Sequence, residues 1–125
     1  MAIPVNLLER DEPQVQDLKV VLGDSFRWSG SVTVDGVPQN LTGCTCRCKI
    51  LSDFGGTLLA TMTCTIPDPT NGICLLLMTP AQTAGLPVPT ADGGQIGVYD
   101  MEILDGTDDT TIVRGNVFAL KQVTT

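Results

Sequence analysis

Histidine is absent from this 125-residue chain, and basic residues are few: there are seven, against fourteen acidic ones, for a net charge of −7. The commonest catalytic base and metal ligand is therefore missing. The basic residues are scattered, and only Arg47 and Lys49 lie close together in the sequence. Because an acidic surface repels phosphate groups, we expect no nucleic-acid partner.

Long apolar runs are also absent. No stretch reaches the roughly 18 apolar residues that a membrane-spanning helix needs, so we expect no membrane partner. The apolar start at residues 1–8 is short, and the charged residues that follow it at once do not fit a signal peptide. Hydrophobic residues still make up 42% of the chain. This composition predicts one folded domain of ordinary size rather than a disordered acidic tail.

Apolar and polar residues alternate along most of the chain after residue 16, which is the period of a β-strand. The clearest case is residues 26–34, where Trp28 and Val32 share the apolar face. The same period predicts strands near 18–22, 44–50, 58–66, 97–104 and 111–123, and the apolar run 73–78 predicts a strand buried on both faces. Seven strands separated by turn signals, with no long helix, predict an all-β sandwich or small barrel.

One short helical turn is predicted between the fifth and sixth of these strands. Thr79 suits the N-cap, Pro80 the first helical position, and Gly85 the end. Within the sheets, Trp28 is expected to fill the core. Tyr99 is expected to bond nearby backbone, as a tyrosine does at the corner of a sandwich.

Five cysteines cannot all pair within the chain. Cys44, Cys46 and Cys48 fall on one predicted strand, where Cα atoms two positions apart are about 6.6 Å from each other, at the long end for a disulfide. We therefore expect all five thiols, including Cys64 and Cys74, to be reduced, small core residues of a protein assembled in a reducing cytoplasm. A zinc or iron–sulfur site is the alternative, although structural zinc sites use C-x₂₋₄-C pairs.

Carboxylates concentrate in predicted turns, where aspartate caps and initiates chain reversals. The segment 105–109, D-G-T-D-D, contains enough oxygen ligands to suggest calcium, but it lacks the twelve-residue spacing of the familiar calcium loop. We interpret it as a hairpin loop. No catalytic, cofactor-binding or metal-binding residue is predicted, and we expect the chain not to be an enzyme.

Residues 1–16 show no period and contain two prolines, so the sequence predicts an extended N-terminal arm ahead of a sandwich at 17–125. The arm is more apolar than a solvated tail needs, through Ile3, Val5, Leu7 and Leu8. These four residues are the predicted partner-binding residues, docking on a neighbouring subunit. Deletion of residues 2–14 is then expected to leave a folded sandwich that no longer assembles.

The order of turn and strand motifs resembles a known group. The motifs are Gly23-Asp24, then D-G-V-P-Q-N-L-T-G at 35–43, D-P-T-N-G at 68–72, Y-D-M-E-I at 99–103 and G-N-V at 115–117. Together they are similar to the immunoglobulin-like N-terminal domain of phage upper-baseplate and tail-fibre proteins. The resemblance covers about residues 17–123.

The resemblance implies a single immunoglobulin-like β-sandwich that serves as a structural protein of the virion, in the tail, baseplate or fibre attachment. Its expected partners are other virion proteins and copies of itself, following assembly in the host cytoplasm. A capsid decoration (cement) protein is the first alternative, since such proteins are also small and rich in strands. A carbohydrate-binding module is a further alternative, disfavoured because only five aromatic residues are present.

Overall fold

The computed structural model describes residues 6–10 and 13–121. In these residues the chain forms ten strands and one short helix. The strands are β1 (Asn6–Glu9), β2 (Gln14–Val15), β3 (Leu18–Val21), β4 (Phe26–Val34), β5 (Val37–Pro38), β6 (Thr45–Leu51), β7 (Leu58–Asp68), β8 (Ile73–Met78), β9 (Gln95–Leu104) and β10 (Asp109–Leu120), and helix α1 is Pro80–Ala84. All seven strands predicted from the sequence are present, and β1, β2 and β5 are additional short strands.

The strands form two sheets joined by β7. The first half of β7 pairs with β6, and its second half pairs with β8. The strand order is β1-β4-β8-β7-β6-β9-β10-β2, with β3 also on β10 and β5 also on β4. We call the part from β1 to β8 the first sheet and the part from β6 to β2 and β3 the second sheet. This curled arrangement confirms the predicted all-β, immunoglobulin-like sandwich.

Trp28 lies in the core between the sheets, as predicted. A Cβ on Gly30 would come within 2.8 Å of both the Trp28 ring and Leu8 Cδ1. The absence of a side chain at Gly30 therefore lets the leucine of β1 pack against the tryptophan of β4. The hydrogen on Trp28 Nε1 has no partner among the described residues.

Strand β8 differs from the prediction. Only Cys74, Leu76 and Met78 are buried, whereas Ile73, Leu75 and Leu77 are partly exposed. The prediction of burial on both faces was wrong because the outer face of the first sheet has no described layer above it. The continuous apolar run therefore combines three core residues with three surface residues.

Helix α1 forms where it was predicted. Thr79 is its N-cap, and the Thr79 hydroxyl and the Gln82 side chain complete a capping box. Thr83 is buried, accepts a hydrogen bond from the Gly23 amide (3.0 Å) and donates one to the Asp24 carbonyl (2.7 Å). The helical turn is thus attached to the turn between β3 and β4.

The described part of residues 1–16 belongs to the sandwich, which corrects the interpretation as a separate arm. Strand β1 pairs in parallel with β4, and β2 pairs in parallel with β10. Leu8 is only 1% exposed and packs in the core of its own chain, so its prediction as a partner-binding residue was wrong. The physical reason is that β1 supplies hydrogen-bond partners to the edge of β4 while Leu8 fills the space over Gly30. Ile3 and Val5 lie outside the described residues, and of Leu7 only the backbone pairing with Ser31 is described.

The prediction that all five cysteines are reduced was also wrong. Cys46 and Cys64 form a disulfide with a Cα–Cα distance of 5.8 Å, while Cys44, Cys48 and Cys74 are free. The register that pairs Cys48 with Met62 places Cys46 opposite Cys64. This position lies two residues beyond Met62, the last residue of β7 that pairs with β6 at this end, so the disulfide links the two strands as they diverge.

Reduction of this disulfide is expected to lower the free energy of unfolding by about 2–3 kcal/mol, because the bond closes a loop with a sequence separation of 18 residues. Urea unfolding with and without a thiol reductant measures the change. A Cys46→Ala/Cys64→Ala double variant is the control, and its midpoint should not respond to reductant. Equal midpoints for the wild type in both conditions, with five titratable thiols, would contradict the disulfide.

No helix in residues 6–10 and 13–121 is long and apolar enough to cross a membrane.

Candidate functional site

A groove on the outer side of the second sheet gathers exposed apolar side chains. It has a volume of about 440 Å³ and is lined by Pro13, Val15, Phe54, Arg114, Gly115 and Asn116. Val15 is 78% exposed and Phe54 is 54% exposed, and both are among the large hydrophobic residues left in solvent. We call this site the Val15–Phe54 groove.

Phe54 forms one wall of the groove at the tip of the loop between β6 and β7. The loop is closed by hydrogen bonds from the Ser52 amide to the Thr57 carbonyl (2.8 Å) and from the Gly56 amide to the Asp53 carbonyl (2.9 Å). Gly55 has φ +84°, which favours glycine. These contacts form a tight turn and place the aromatic ring outside the core.

The Arg114 guanidinium lies over the face of this ring. Its guanidinium carbon is 4.4 Å from the centre of the Phe54 ring, a cation–π contact that is worth about 0.5–1 kcal/mol at an exposed position. Arg114 is paired with Val15 across the parallel β2–β10 ladder and with Asp100 across the antiparallel β9–β10 ladder. The stem of the arginine therefore lies between two exposed hydrophobic residues, with its donors accessible to a partner.

The other wall is held by the backbone around Gln16. The Gln16 amide donates to the Arg114 carbonyl (2.9 Å), and the Asn116 amide donates to Asp17 Oδ1 (3.1 Å). A Cβ on Gly115 would collide with the Gln16 carbonyl, so only glycine lets β10 come this close. Pro13 and Val15 are thus attached to the edge of the second sheet.

The Tyr99 side chain contacts the backbone of Gln16 from inside the sandwich. It is paired with Gly115 across the β9–β10 ladder, and its hydroxyl donates to the Gln16 carbonyl at 2.5 Å. Burial raises the pKa of the Tyr99 phenol well above its ordinary value, which keeps the hydroxyl protonated as a donor. The predicted bond to backbone is present, but its acceptor is 83 residues away rather than in the adjacent corner.

Tyr99→Phe is expected to lower the free energy of unfolding by about 1–3 kcal/mol, because the Gln16 carbonyl loses its side-chain donor in a partly buried position. Chemical denaturation measures the loss, and amide exchange at residues 14–17 should become faster than in the wild type. An unchanged midpoint together with unchanged exchange would show that the phenol does not hold this segment.

Charges of both signs alternate across the outer face of the second sheet beside the groove. Arg47 lies 3.3 Å from Glu102 and 3.7 Å from Asp109, and Lys49 is paired with Asp100 across the ladder. Burial and then Glu102 raise the pKa of the Asp100 carboxyl, against the opposing effect of the nearby cations. Exposed ion pairs contribute little to stability, so this row acts mainly to keep the face near neutral charge.

The described residues offer no nucleophile with a base beside it. Burial raises the pKa of the Cys48 and Cys74 thiols to about 12, which keeps both in the unreactive protonated form. No group of three potential metal ligands is found within residues 6–10 and 13–121.

The loop at 105–109 is a hairpin turn, as interpreted from the sequence. Asp105 Oδ1 accepts hydrogen bonds from the Thr107 and Asp108 amides at 2.8 and 2.7 Å. Backbone hydrogen bonds, first that of Asp108, lower the pKa of the Asp105 carboxyl, and Arg10 lies 3.6 Å away. The carboxylate is therefore occupied by the turn itself.

The groove was not predicted from the sequence. Of the four predicted partner-binding residues, only Leu8 has a described side chain, and it lies in the core rather than in the groove. Val15 was counted as part of the arm, and no binding role was predicted for Phe54. A large aromatic residue beside two glycines was the available signal, since a turn does not require one.

Comparison with known proteins gives a likeness of fold. No family model matches the chain, and no curated protein sequence matches it. Among solved structures, the N-terminal domain of ORF48 of phage TP901-1 is similar, with a TM-score of 0.57 and 13% sequence identity over 92% of this chain and 95% of that chain. The N-terminal Ig1-2 module of the Drosophila receptor protein tyrosine phosphatase DLAR aligns with a TM-score of 0.47 and 13% identity, over 88% of this chain and 47% of that one. The first likeness extends over nearly all of both chains and shows a shared fold.

Proposed function

We propose that the chain is a structural protein of a bacteriophage virion, placed in the tail, the baseplate or the fibre attachment. The observation that carries the proposal is the fold match with the phage TP901-1 domain, which includes 92% of this chain and 95% of that one. The order of motifs in the sequence supports the same group of proteins. In this proposal the chain is made in the host cytoplasm and becomes part of the virion by binding other virion proteins and copies of itself.

The proposed role is assembly rather than catalysis. The chain has no histidine, and the buried thiols of Cys48 and Cys74 are held protonated. The Val15–Phe54 groove instead has the composition of a protein-binding surface. Aromatic residues and arginine are enriched at the centres of interfaces, and here Phe54 and Arg114 are stacked on each other.

Carbohydrate binding has less support from the groove. Sugars stack on the open faces of aromatic rings, and the Arg114 guanidinium already lies over the Phe54 ring at 4.4 Å. The core positions of Trp28 and Tyr99 remove two further aromatic residues from the surface.

The test is to purify phage particles, separate tails from heads on a density gradient, and measure this protein in each fraction by quantitative mass spectrometry. The proposal predicts a fixed number of copies per particle in the tail fraction. Recovery with tailless heads would instead assign it to capsid decoration. Recovery only in the lysate, outside any particle, would overturn a virion role altogether.

A further inference from the structure

The loop that follows α1 exposes a valine, while residues on either side of the valine are buried. Val88 is 67% exposed, while Leu86 and Pro89 on either side of it are buried. The Leu86 amide also donates to the Thr83 carbonyl at 3.1 Å, which attaches the start of the loop to the helix. Two prolines restrict the backbone next to Val88. The valine is therefore a convex, pre-organised projection, which we call the Val88 knob.

The Val15–Phe54 groove is concave where the Val88 knob projects, and both surfaces are largely apolar. Pro13, Val15 and Phe54 supply the apolar walls of the groove. Two copies of a concave surface cannot fill each other, so this groove requires a projecting apolar element. Proline-containing extended segments are a recurrent ligand of grooves with aromatic walls, because their backbone loses little entropy on binding.

The local charges do not oppose contact between these two surfaces. The chain carries a net charge of −7, yet residues 85–91 around the knob contain no charged side chain. Among the described residues that line the groove, the cation Arg114 is the only charged one. The uncharged loop of one copy can therefore approach Arg114 of the next copy without adding to the like-charge repulsion between two chains of net charge −7.

We propose that the Val88 knob of one copy docks in the Val15–Phe54 groove of the next copy. Such a contact is heterologous, because each copy contributes a different surface, so it builds a ring where the rotation closes and a filament where it does not. The inference rests on the proposed virion role, in which identical subunits repeat around a symmetric particle. One loop in one groove is smaller than the roughly 1,200 Å² of a stable interface, so the pair is weak in isolation and gains strength from repetition.

The test uses two variants that damage opposite sides of the contact. Val15→Asp places a charge in the groove, and Val88→Asp places one on the knob. Both positions are exposed, so neither change should alter the thermal melt. Val37→Asp is the matched control, since Val37 is 64% exposed and lies on the hairpin between β4 and β5, outside both surfaces. Association of the purified full chain is measured by analytical ultracentrifugation up to about 1 mM, the affinity range of weak contacts.

The wild type and Val37→Asp should associate equally, and each of the other two variants should lose at least about tenfold in association constant. An equimolar mixture of Val15→Asp and Val88→Asp should form heterodimers that grow no further, because only one knob and one groove in each pair are intact. A monomeric wild type, a mixture that does not associate, or an equal loss in Val37→Asp would each overturn the proposal.

The two experiments distinguish a failure of the knob-and-groove contact from a failure of the proposed virion role. A wild type that stays monomeric in solution but is found in particles would end the knob-and-groove inference and leave the virion role in place. Association in solution by a protein that is absent from particles would do the reverse.

Discussion

Leu8→Ala is expected to lower the free energy of unfolding by about 2–5 kcal/mol, the usual cost of truncating a buried leucine. Leu8 is 1% exposed and packs beside Gly30, where the Trp28 ring also lies. Removal of residues 2–10 should cost more, because it also takes away the β1 backbone that pairs with β4 at residues 30–33. At the lower end of the 5–15 kcal/mol that is typical of a domain, such a truncation should leave little folded protein.

Leu58→Ala is the matched control for this experiment. It removes the same atoms from a leucine that is 51% exposed, and surface substitutions usually change stability by no more than about 0.5 kcal/mol. Urea unfolding followed by tryptophan fluorescence measures both variants, since the chain has a single tryptophan. A truncated protein that unfolds at the same urea concentration as the wild type would restore the interpretation of residues 1–16 as an independent arm.

Trp28→Ala is expected to lower the free energy of unfolding by about 3–5 kcal/mol, the cost of removing a large buried aromatic side chain. The ring lies in the core beside Leu8, where its removal leaves a cavity. The loss is best measured by circular dichroism, because the variant lacks the fluorescent residue.

Two further variants separate the causes of that loss. Trp28→Phe should cost less than half as much, because Trp28 Nε1 makes no hydrogen bond within the described part of the chain, so phenylalanine sacrifices volume alone. Phe54→Ala removes an aromatic ring from the surface and should hardly change the unfolding midpoint. A loss below about 1 kcal/mol for Trp28→Ala would place the tryptophan at the surface, against the packing described here.

The alternation of apolar and polar residues was sufficient to predict six of the seven main strands, because each of these has a core face and an outer face. Strand β8 was predicted from its continuous apolar run instead. The short strands β1 and β2 could not be predicted from the alternation. Each is only two to four residues long, which is too short to establish a period. Their pairing partners are edges of β4 and β10 that exist only after the sheets have formed.

The disulfide also could not be predicted from a local sequence pattern. Spacing along one strand correctly disfavoured a bond within Cys44-x-Cys46-x-Cys48, but the partner of Cys46 lies on a different strand. Only the register of β6 against β7 brings Cys64 opposite to it. Register depends on how both strands pack on the core, which a local pattern does not contain.

The groove depends on tertiary structure throughout. Val15, Phe54 and Arg114 come from three separate parts of the chain and meet because β2 pairs with β10 while the β6–β7 loop lies over the same strand. The sequence pattern placed partner binding at Ile3, Val5, Leu7 and Leu8, none of which lines the groove among the described residues. It chose Leu8 over Val15 because apolar character alone does not distinguish a core residue from a surface residue.

An electron cryomicroscopy reconstruction of intact particles is the most direct test of the virion role and of the binding surface. The account predicts density for this sandwich in the tail or baseplate, in several symmetric copies, with the Val15–Phe54 groove covered by a neighbouring subunit. Complete particles without density for this fold, or copies in which the groove faces solvent everywhere, would contradict it.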